Sequence, residues 1–192
     1  EPPAALAAAL AKGKKALALE NLETRLTPAT NFYIDPVFGN NANSGTQASP
    51  WATLQFAIDN AAVQNGDTLN IAPGPMTETG TPWVANGDVV SVLVSKSLTI
   101  QGTKADWTPI TSEADIESQI TMGSQGINSQ ALLAVTAPGV TITGLQFTCS
   151  NIDLANPVNG QGNLFLVSAN NFSMADLYLA TNRDNADTRA KP

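Results

Sequence analysis

The sequence predicts an all-β fold built as a parallel β-helix, a solenoid of short strands stacked in register. The first observation behind this prediction is a pair of apolar residues flanking one polar residue, which recurs four times at intervals of roughly 30 to 40 residues. The copies are Leu69-x-Ile71, Leu98-x-Ile100, Val140-x-Ile142 and Phe172-x-Met174. The second is an aliphatic residue five positions before three of these pairs, namely Leu93, Val135 and Val167. One such unit cannot bury its own apolar face, so the units must stack.

Each repeat is predicted to hold two short strands joined by a tight bend. The strand pairs are Val89 to Val94 with Leu98 to Gln101, Ala131 to Thr136 with Val140 to Thr148, and Asn163 to Ser168 with Phe172 to Leu179. The segments Pro73 to Gly87 and Trp107 to Ile127 are predicted to leave the stack as loops. No helical segment lies between the repeats, which argues against a βαβ sheet. A β-sandwich of antiparallel hairpins remains the alternative.

The segments around the repeats divide the chain into three parts. Residues 1–30 are rich in Ala, Leu, Lys and Glu and are predicted to form a separate amphipathic helix that ends near Pro28. The β-domain is predicted to span residues 31–179, beginning with the strand Asn31 to Ile34. A helix over about residues 50–63, with Ser49 as N-cap, would cap its first end. Residues 180–192 form a polar tail.

One stretch resembles the opening of bacterial right-handed parallel β-helix proteins of the pectate-lyase-like superfamily. The residues that carry the resemblance are Tyr33-Ile34-Asp35-Pro36, Gly39-Asn40-Asn41-Ala42-Asn43-Ser44-Gly45-Thr46, Pro50-Trp51-Ala52-Thr53-Leu54-Gln55, Ala57-Ile58 and Gly66-Asp67-Thr68-Leu69. The resemblance covers about Asn31 to Leu179 and implies a right-handed solenoid whose first strand and helix cap its open end. It implies little about activity, because that superfamily contains lyases, glycoside hydrolases, tailspikes and proteins without known chemistry.

A second stretch resembles the N-terminal sorting segment of exported planctomycete proteins. It runs from Leu19 to Ala29 and contains Leu-Glu-x-Leu-Glu-x-Arg-x-x-Pro. The resemblance implies secretion or attachment at the cell surface, although a helix C-terminus with alternating acidic residues would explain the same pattern. We therefore expect an extracellular or cell-surface protein.

Composition excludes several classes of function. The 192 residues include 9 basic and 16 acidic ones, for a net charge of -7, which opposes binding to nucleic acid or anionic lipid. No apolar run is long enough to span a membrane. With no His and one Cys, the chain lacks the residues for a Ser-His-Asp triad, a His-based zinc site or an intrachain disulfide. The single cysteine, Cys149, is interpreted as a core residue, and no cofactor or metal is expected.

The sequence contains few residues that could catalyse the cleavage of a polysaccharide. Elimination from an acidic glycan needs a strong base. The only basic residues between Pro28 and Asn182 are Lys96 and Lys104, and Lys96 is interpreted as a solvated turn residue. Glycoside hydrolysis needs two nearby carboxylates. The candidates are Glu113, Asp115 and Glu117, which are close in sequence, and Asp153 with Asp176 in neighbouring repeats. Each is also explained as an acidic loop or turn residue, so the catalytic residues stay unknown.

Sugar binding without catalysis requires only aromatic surfaces and polar groups, and five residues are candidates for it. Aromatic faces would come from Trp83 and Trp107, both in the predicted loops, where an indole can also fix a loop to the stack. Polar groups would come from the outward positions of the repeats, of which Gln101, Thr141 and Gln146 are the candidate binding residues. The loop residues Asp35, Asn40, Asn41 and Asn43 offer oxygens to calcium, but turn formation is the favoured interpretation.

These observations favour a structural or carbohydrate-binding module that is non-catalytic in this segment. The alternative is the N-terminal part of a polysaccharide lyase or glycoside hydrolase. Polysaccharide is the expected partner. The last strand near Leu179 is followed by no apolar cap, so further solenoid turns or self-association are expected at that edge.

Overall fold

The computed structural model describes residues 28–78, 81–82, 89–122, 129–149 and 163–181. The predicted N-terminal helix and the residues after Thr181 lie outside this part of the chain. The described elements in chain order are eleven strands, one short α-helix and one 3₁₀ helix. They are β1 (Asn31–Ile34), α1 (Leu54–Asp59), β2 (Thr68–Ile71), β3 (Gly74–Glu78), β4 (Thr81–Pro82), β5 (Val89–Val94), β6 (Thr99–Gly102), the 3₁₀ helix Glu113–Asp115, β7 (Ser118–Met122), β8 (Ser129–Val135), β9 (Thr141–Cys149), β10 (Asn163–Val167) and β11 (Ser173–Thr181).

The strands form two sheets that are almost entirely parallel. The large sheet has seven strands in the order β1-β2-β6-β9-β7-β3, with β11 also paired to β9. The small sheet has the order β10-β8-β5-β4, in which β4 and β5 are antiparallel. These pairings correct the predicted fold class. The described residues show a two-sheet, mainly parallel β-structure, and no closed right-handed parallel β-helix is seen in them.

The apolar core lies between the two sheets. Val92, Val94, Leu133 and Val135 of the small sheet belong to the same buried cluster as the large-sheet residues Leu69, Ile71, Ile100, Ile142, Leu145 and Phe147. Phe147 of β9 meets Phe165 of β10 edge to face, with ring centroids 5.1 Å apart, and so joins the two sheets. This arrangement explains why each strand places alternate apolar residues on one face.

The register confirms part of the repeat pattern and corrects the rest. Ile100 pairs with Ile142 and Ile142 with Met174, as the repeats predict. Leu69, however, pairs with Ile100 and not with Leu98, so the first repeat is shifted by two residues. In the small sheet Val94, and not Leu93, pairs with Val135, which pairs in turn with Val167. Apolar spacing alone cannot fix the register when two neighbouring positions are both aliphatic.

The two segments predicted as loops contain paired strands. β3 lies within Pro73 to Gly87 and β7 within Trp107 to Ile127, and the two strands pair in parallel. β7 also pairs with the second half of β9, whereas the first half of β9 pairs with β6. Gly144, with a φ of 67°, separates the two halves. A Cβ atom on the neighbouring Gly102 would lie 1.8 Å from the carbonyl oxygen of Gly144. The close approach of these glycines therefore lets one long strand serve two partners.

The end of the sheets formed by β1 and α1, here called the first end, is covered by a loop and the helix. α1 spans Leu54–Asp59 and is much shorter than the predicted helix over about 50–63, because Trp51 pairs with β1 as an extended bridge. Trp51 is 1% exposed and stacks on Phe32 with ring centroids 5.2 Å apart. Its indole N–H donates to the Asn43 carbonyl at 2.8 Å. A buried tryptophan is therefore part of the cover at this end.

The opposite end, here called the last end, is formed by β10 and β11. β10 pairs with β8 and β11 with β9. Val167 and Met174 at this end are 44% and 41% exposed, although the residues beside them in register, Val135 and Ile142, are fully buried. The core columns thus continue to the molecular surface at the last end.

Candidate functional site

The candidate site lies on the outward face of the large sheet. Tyr33, Asn70, Gln101 and Thr143 follow one another in register across β1, β2, β6 and β9, and are here called the Gln101 row. Neighbouring members are separated by the strand spacing of about 4.8 Å. Each of these positions alternates with residues of the core face, so the row points away from the core.

Hydrogen bonds orient the amide groups in this row. The Gln101 side-chain N–H₂ group donates to the Asn70 amide oxygen at 2.7 Å, and Asn70 donates to the Phe32 carbonyl at 3.1 Å. Asn70 is buried, whereas Gln101 is half-buried. The Gln101 amide oxygen accepts no hydrogen bond within the described part of the chain. This oxygen is therefore a pre-oriented acceptor for a hydroxyl group.

An aromatic pair lies at the β1 side of the row. Trp107 meets Tyr33 edge to face, with ring centroids 5.0 Å apart and an interplanar angle of 86°. Trp107 is half-buried and has a φ of 67°, a backbone conformation that non-glycine residues seldom adopt. The contact attaches the loop after β6 to β1, which agrees with the loop-fixing interpretation of this tryptophan. It also adds a second ring beside Tyr33 on the outward face.

Two of the remaining candidate binding residues lie at different distances from this site. Thr141 belongs to the next row, in which it pairs with Thr99 and Ser173, and its hydroxyl lies 3.1 Å from that of Ser173. Gln146 follows the bend at Gly144 and pairs with Gln119 of β7 and Tyr178 of β11. The structure therefore brings Gln101, Trp107 and Thr141 to one part of the sheet and places Gln146 beyond it. Trp83 lies outside the described residues.

A shallow depression of about 330 Å³ follows strand β6. It is lined by Lys104, Ala105, Asp106, Asp115 and Glu117. Lys104 forms an ion pair with Asp115 at 3.0 Å, and both side chains are about half exposed. Asp106 accepts hydrogen bonds from the Thr108 hydroxyl and backbone N–H, which lower the pKa of its carboxyl group. Three carboxylates and one lysine make this depression acidic.

The depression contains two of the three carboxylates predicted close together in sequence. Asp115 and Glu117 line it, while Glu113 begins the 3₁₀ helix. Hydrolysis would need one carboxyl group that keeps its proton near neutral pH, whereas Asp106 is shifted in the opposite direction. Asp176 lies in β11 with a φ of 51°, and its predicted partner Asp153 lies outside the described residues, as does the side chain of Cys149.

Three of the four side chains considered for calcium, those of Asp35, Asn40 and Asn41, accept hydrogen bonds from the backbone. The fourth, Asn43, donates its side-chain N–H₂ group to the Pro50 carbonyl at 2.8 Å. The Asp35 carboxylate accepts the N–H groups of Val37 and Phe38, both at 2.9 Å. Asn40 and Asn41 likewise accept backbone N–H groups, those of Ala42 and of Ala52 and Thr53. Among the described residues no group of three or more His, Cys, Asp or Glu side chains could hold a metal ion. Turn formation accounts for these side chains.

Two ionisable residues have structural roles that the sequence analysis missed. Lys96, interpreted as a solvated turn residue, is half-buried and donates to the Asn60 and Val63 carbonyls at 2.8 and 2.9 Å. Glu78 is 2% exposed and accepts the backbone N–H of Leu54, at the start of α1, at 2.7 Å. Burial, with a smaller contribution from the nearby Asp59 carboxylate, raises the pKa of Glu78 to about 7, although the hydrogen bonds from the Leu54 and Gln55 N–H groups lower it. The alternation of Met76 and Glu78 was the available signal, because it places both on one face of a strand.

Comparisons with known proteins add no assignment to these observations. Searches of protein-family models, curated proteins and solved structures return no match to the chain. No helix among the described residues is both long and apolar enough to cross a membrane. The function must therefore be inferred from the site alone.

Proposed function

We propose that this chain is a secreted or cell-surface module that binds a polysaccharide on the outward face of the large sheet, without catalysing its cleavage. The observation that carries the proposal is the Gln101 row, in which an oriented amide lies in register with Tyr33, whose ring contacts Trp107. Carbohydrate sites combine polar groups that bind hydroxyls with aromatic surfaces that cover the apolar faces of sugar rings.

The charge around the row favours a neutral glycan over an acidic one. Three carboxylates line the depression after β6, and its single lysine is already paired with one of them. A uronate placed there would meet net negative charge, which costs binding energy at low ionic strength. Neutral glucans, xylans or mannans fit this surface better than pectate or alginate.

Composition, and not the site, supports the proposed location of the protein at or outside the cell surface. Only 13% of the residues are charged, and the surface of the repeats is covered by neutral hydroxyl and amide groups. The segment Leu19 to Ala29, which resembles an export motif, supports the same location, although it lies outside the described residues. Fractionation of cells that express the full gene, followed by immunoblotting, tests this part of the proposal.

Titration calorimetry with neutral oligosaccharides tests the binding site. Gln101→Ala removes the free acceptor and is expected to weaken binding by about 1–2 kcal/mol, roughly 5- to 30-fold in Kd. Gln47→Ala is the matched control, because Gln47 is an exposed loop residue outside the row. Trp107→Ala is expected to weaken binding as well. Equal affinities of the parent, Gln101→Ala and Trp107→Ala would contradict the proposed site.

Incubation with glycans tests the absence of cleavage. The protein is mixed with neutral glycans, pectate and alginate, and the products are assayed for reducing ends and unsaturated sugars. We expect neither product above the level of a heat-denatured sample. Release of either, abolished by Asp115→Asn but not by Gln47→Ala, would replace the proposal with a hydrolase or lyase.

A further inference from the structure

The last end of the molecule differs from every other sheet edge in the described residues. β10 and β11 together hold 14 residues, with no Pro or Lys and with Asp176 as their single charged residue. Native proteins usually protect an edge strand with proline, lysine, an inward charge or a covering segment. The exposed Val167, Met174 and Tyr178 are 44%, 41% and 54% accessible. Among the described residues, the half-buried Asp176 is the one protective feature of this edge, which is otherwise apolar.

The other edges of the large sheet are protected. On β1, the Tyr33 N–H donates to the Gly45 carbonyl at 2.9 Å, and the Trp51 N–H donates to the Tyr33 carbonyl at 3.0 Å. The loop thus occupies the backbone groups that another strand would need. At the other side of the sheet, β3 carries Pro75 and the buried Glu78. Neither strand can accept a second chain without a rearrangement.

The corresponding edge of the small sheet is also protected. β4 consists of only two residues, one of which is Pro82. Beyond it, the side chain of Gln55 bonds to β5 as a strand would, accepting the Leu93 N–H at 2.6 Å. The side-chain amide of Gln55, in α1, thereby replaces a neighbouring strand at this position. The last end is left as the open edge of both sheets within the described residues.

We propose that the last end is the docking surface for a second copy of this chain. A copy cannot bind there through its own first end, because the backbone groups of that end are already bonded. The matching open surface on the second copy is its own last end. Two identical edges related by a two-fold axis run antiparallel, and such a contact closes after two chains. The near absence of charge allows two copies to approach despite a net charge of -7 on each.

The size of the surface predicts a weak, reversible dimer. At about 3.3 Å per residue, β10 is roughly 17 Å long and β11 roughly 30 Å, and packed sheets lie about 10 Å apart. The contact therefore covers about 170–300 Å² per copy, less than the ~800 Å² of a standard stable interface. Such a dimer forms as the protein concentration rises and is independent of any glycan.

One substitution distinguishes association by strand pairing from non-specific hydrophobic association. The Ser173 N–H donates to the Val140 carbonyl at 3.0 Å, so the N–H of the next residue, Met174, points away from β9. Met174→Pro removes this outward donor and leaves the pairing with β9 in place. Met174→Leu keeps the donor and the apolar side chain and is the matched control. Val167→Lys tests the same end on the small sheet.

Sedimentation velocity of the full chain, from micromolar to near-millimolar concentration, tests the proposal. We expect the parent and Met174→Leu to shift from the monomer mass toward twice that mass, and amide exchange in β10 and β11 to slow as they do so. Met174→Pro and Val167→Lys, checked for folding by circular dichroism in dilute solution, are expected to stay monomeric. A parent that stays monomeric throughout would overturn the proposal. Unlimited growth beyond the dimer, or association unchanged in both variants, would overturn it as well.

Discussion

At the first end of the sheets, Trp51 and helix α1 cover the core, whereas at the last end β10 and β11 leave core side chains in contact with solvent. The same columns of apolar residues terminate at both ends. At the first end a tryptophan 1% exposed covers the core, and the Gln55 amide bonds to β5 in place of a strand. The Glu78 carboxylate accepts the N–H at the start of α1. At the last end the column of Ile100 and Ile142 finishes at Met174, which is 41% exposed. An apolar side chain is therefore expected to contribute more to stability at the covered first end than at the exposed last end.

The largest expected effect on stability comes from introducing an aspartate at the centre of one column of apolar residues, compared with the same change at its end. Ile142 is fully buried between Ile100 and Met174, so Ile142→Asp places a carboxylate without a partner in the core and should abolish cooperative unfolding. Met174→Asp adds the same group where water reaches it, and we expect a loss of about 1 kcal/mol or less in dilute solution. Urea denaturation followed by tryptophan fluorescence measures both. A parent-like transition for Ile142→Asp would mean that this column is not in the core.

Truncating an aromatic residue at each end should give the next largest difference. Trp51→Ala removes a buried ring that stacks on Phe32 and lies edge to face with Phe56, and should cost about 3–5 kcal/mol. Tyr178→Ala removes a ring that is 54% exposed and should cost about 1 kcal/mol or less. Circular dichroism is the suitable probe in chemical denaturation, because Trp51→Ala removes a fluorophore. Similar losses for the two variants would contradict the difference in cover between the ends.

The smallest of the three effects depends on pH and belongs to the first end alone. The pKa of Glu78 is about 7 in the folded protein and 4.5 in the unfolded chain, so between these values the folded state holds a proton that the unfolded state has lost. The contribution of Glu78 is therefore greatest below pH 4.5 and falls as pH rises to about 7, by roughly 3 kcal/mol.

Glu78→Gln separates this contribution from other titrations. The amide can still accept the Leu54 N–H but does not ionise, so the variant should lose that part of the pH dependence. Unfolding free energies of parent and variant are compared at several pH values across the window. The same slope in both proteins would show that Glu78 does not control the pH response, while a slope of opposite sign in the parent would contradict the raised pKa.

Local sequence signals predicted individual strands well and their arrangement less well. β1 has the predicted bounds, and the register of Ile100, Ile142 and Met174 is as expected, because alternating apolar residues identify a strand with one buried face. The closed solenoid was wrong as a description of the described residues. Strands β3 and β7 lie in the two segments that were interpreted as loops because they are insertions between the repeats, and they become strands by pairing with each other.

For the candidate site, the sequence by itself determined which residue types were available, and tertiary structure decided which of them meet. Outward polar positions follow from strand alternation, which is a local property, so Gln101 and Thr141 could be found without a structure. That Gln101 is oriented by Asn70, that Trp107 meets Tyr33, and that Gln146 lies beyond the Gly144 bend depend on contacts between residues far apart in the chain. The cover of the first end by Trp51, Gln55 and Glu78 was likewise decided by tertiary structure. A side chain's value as a cap depends on which unpaired backbone group it reaches, and that distance is set only when both sheets have formed.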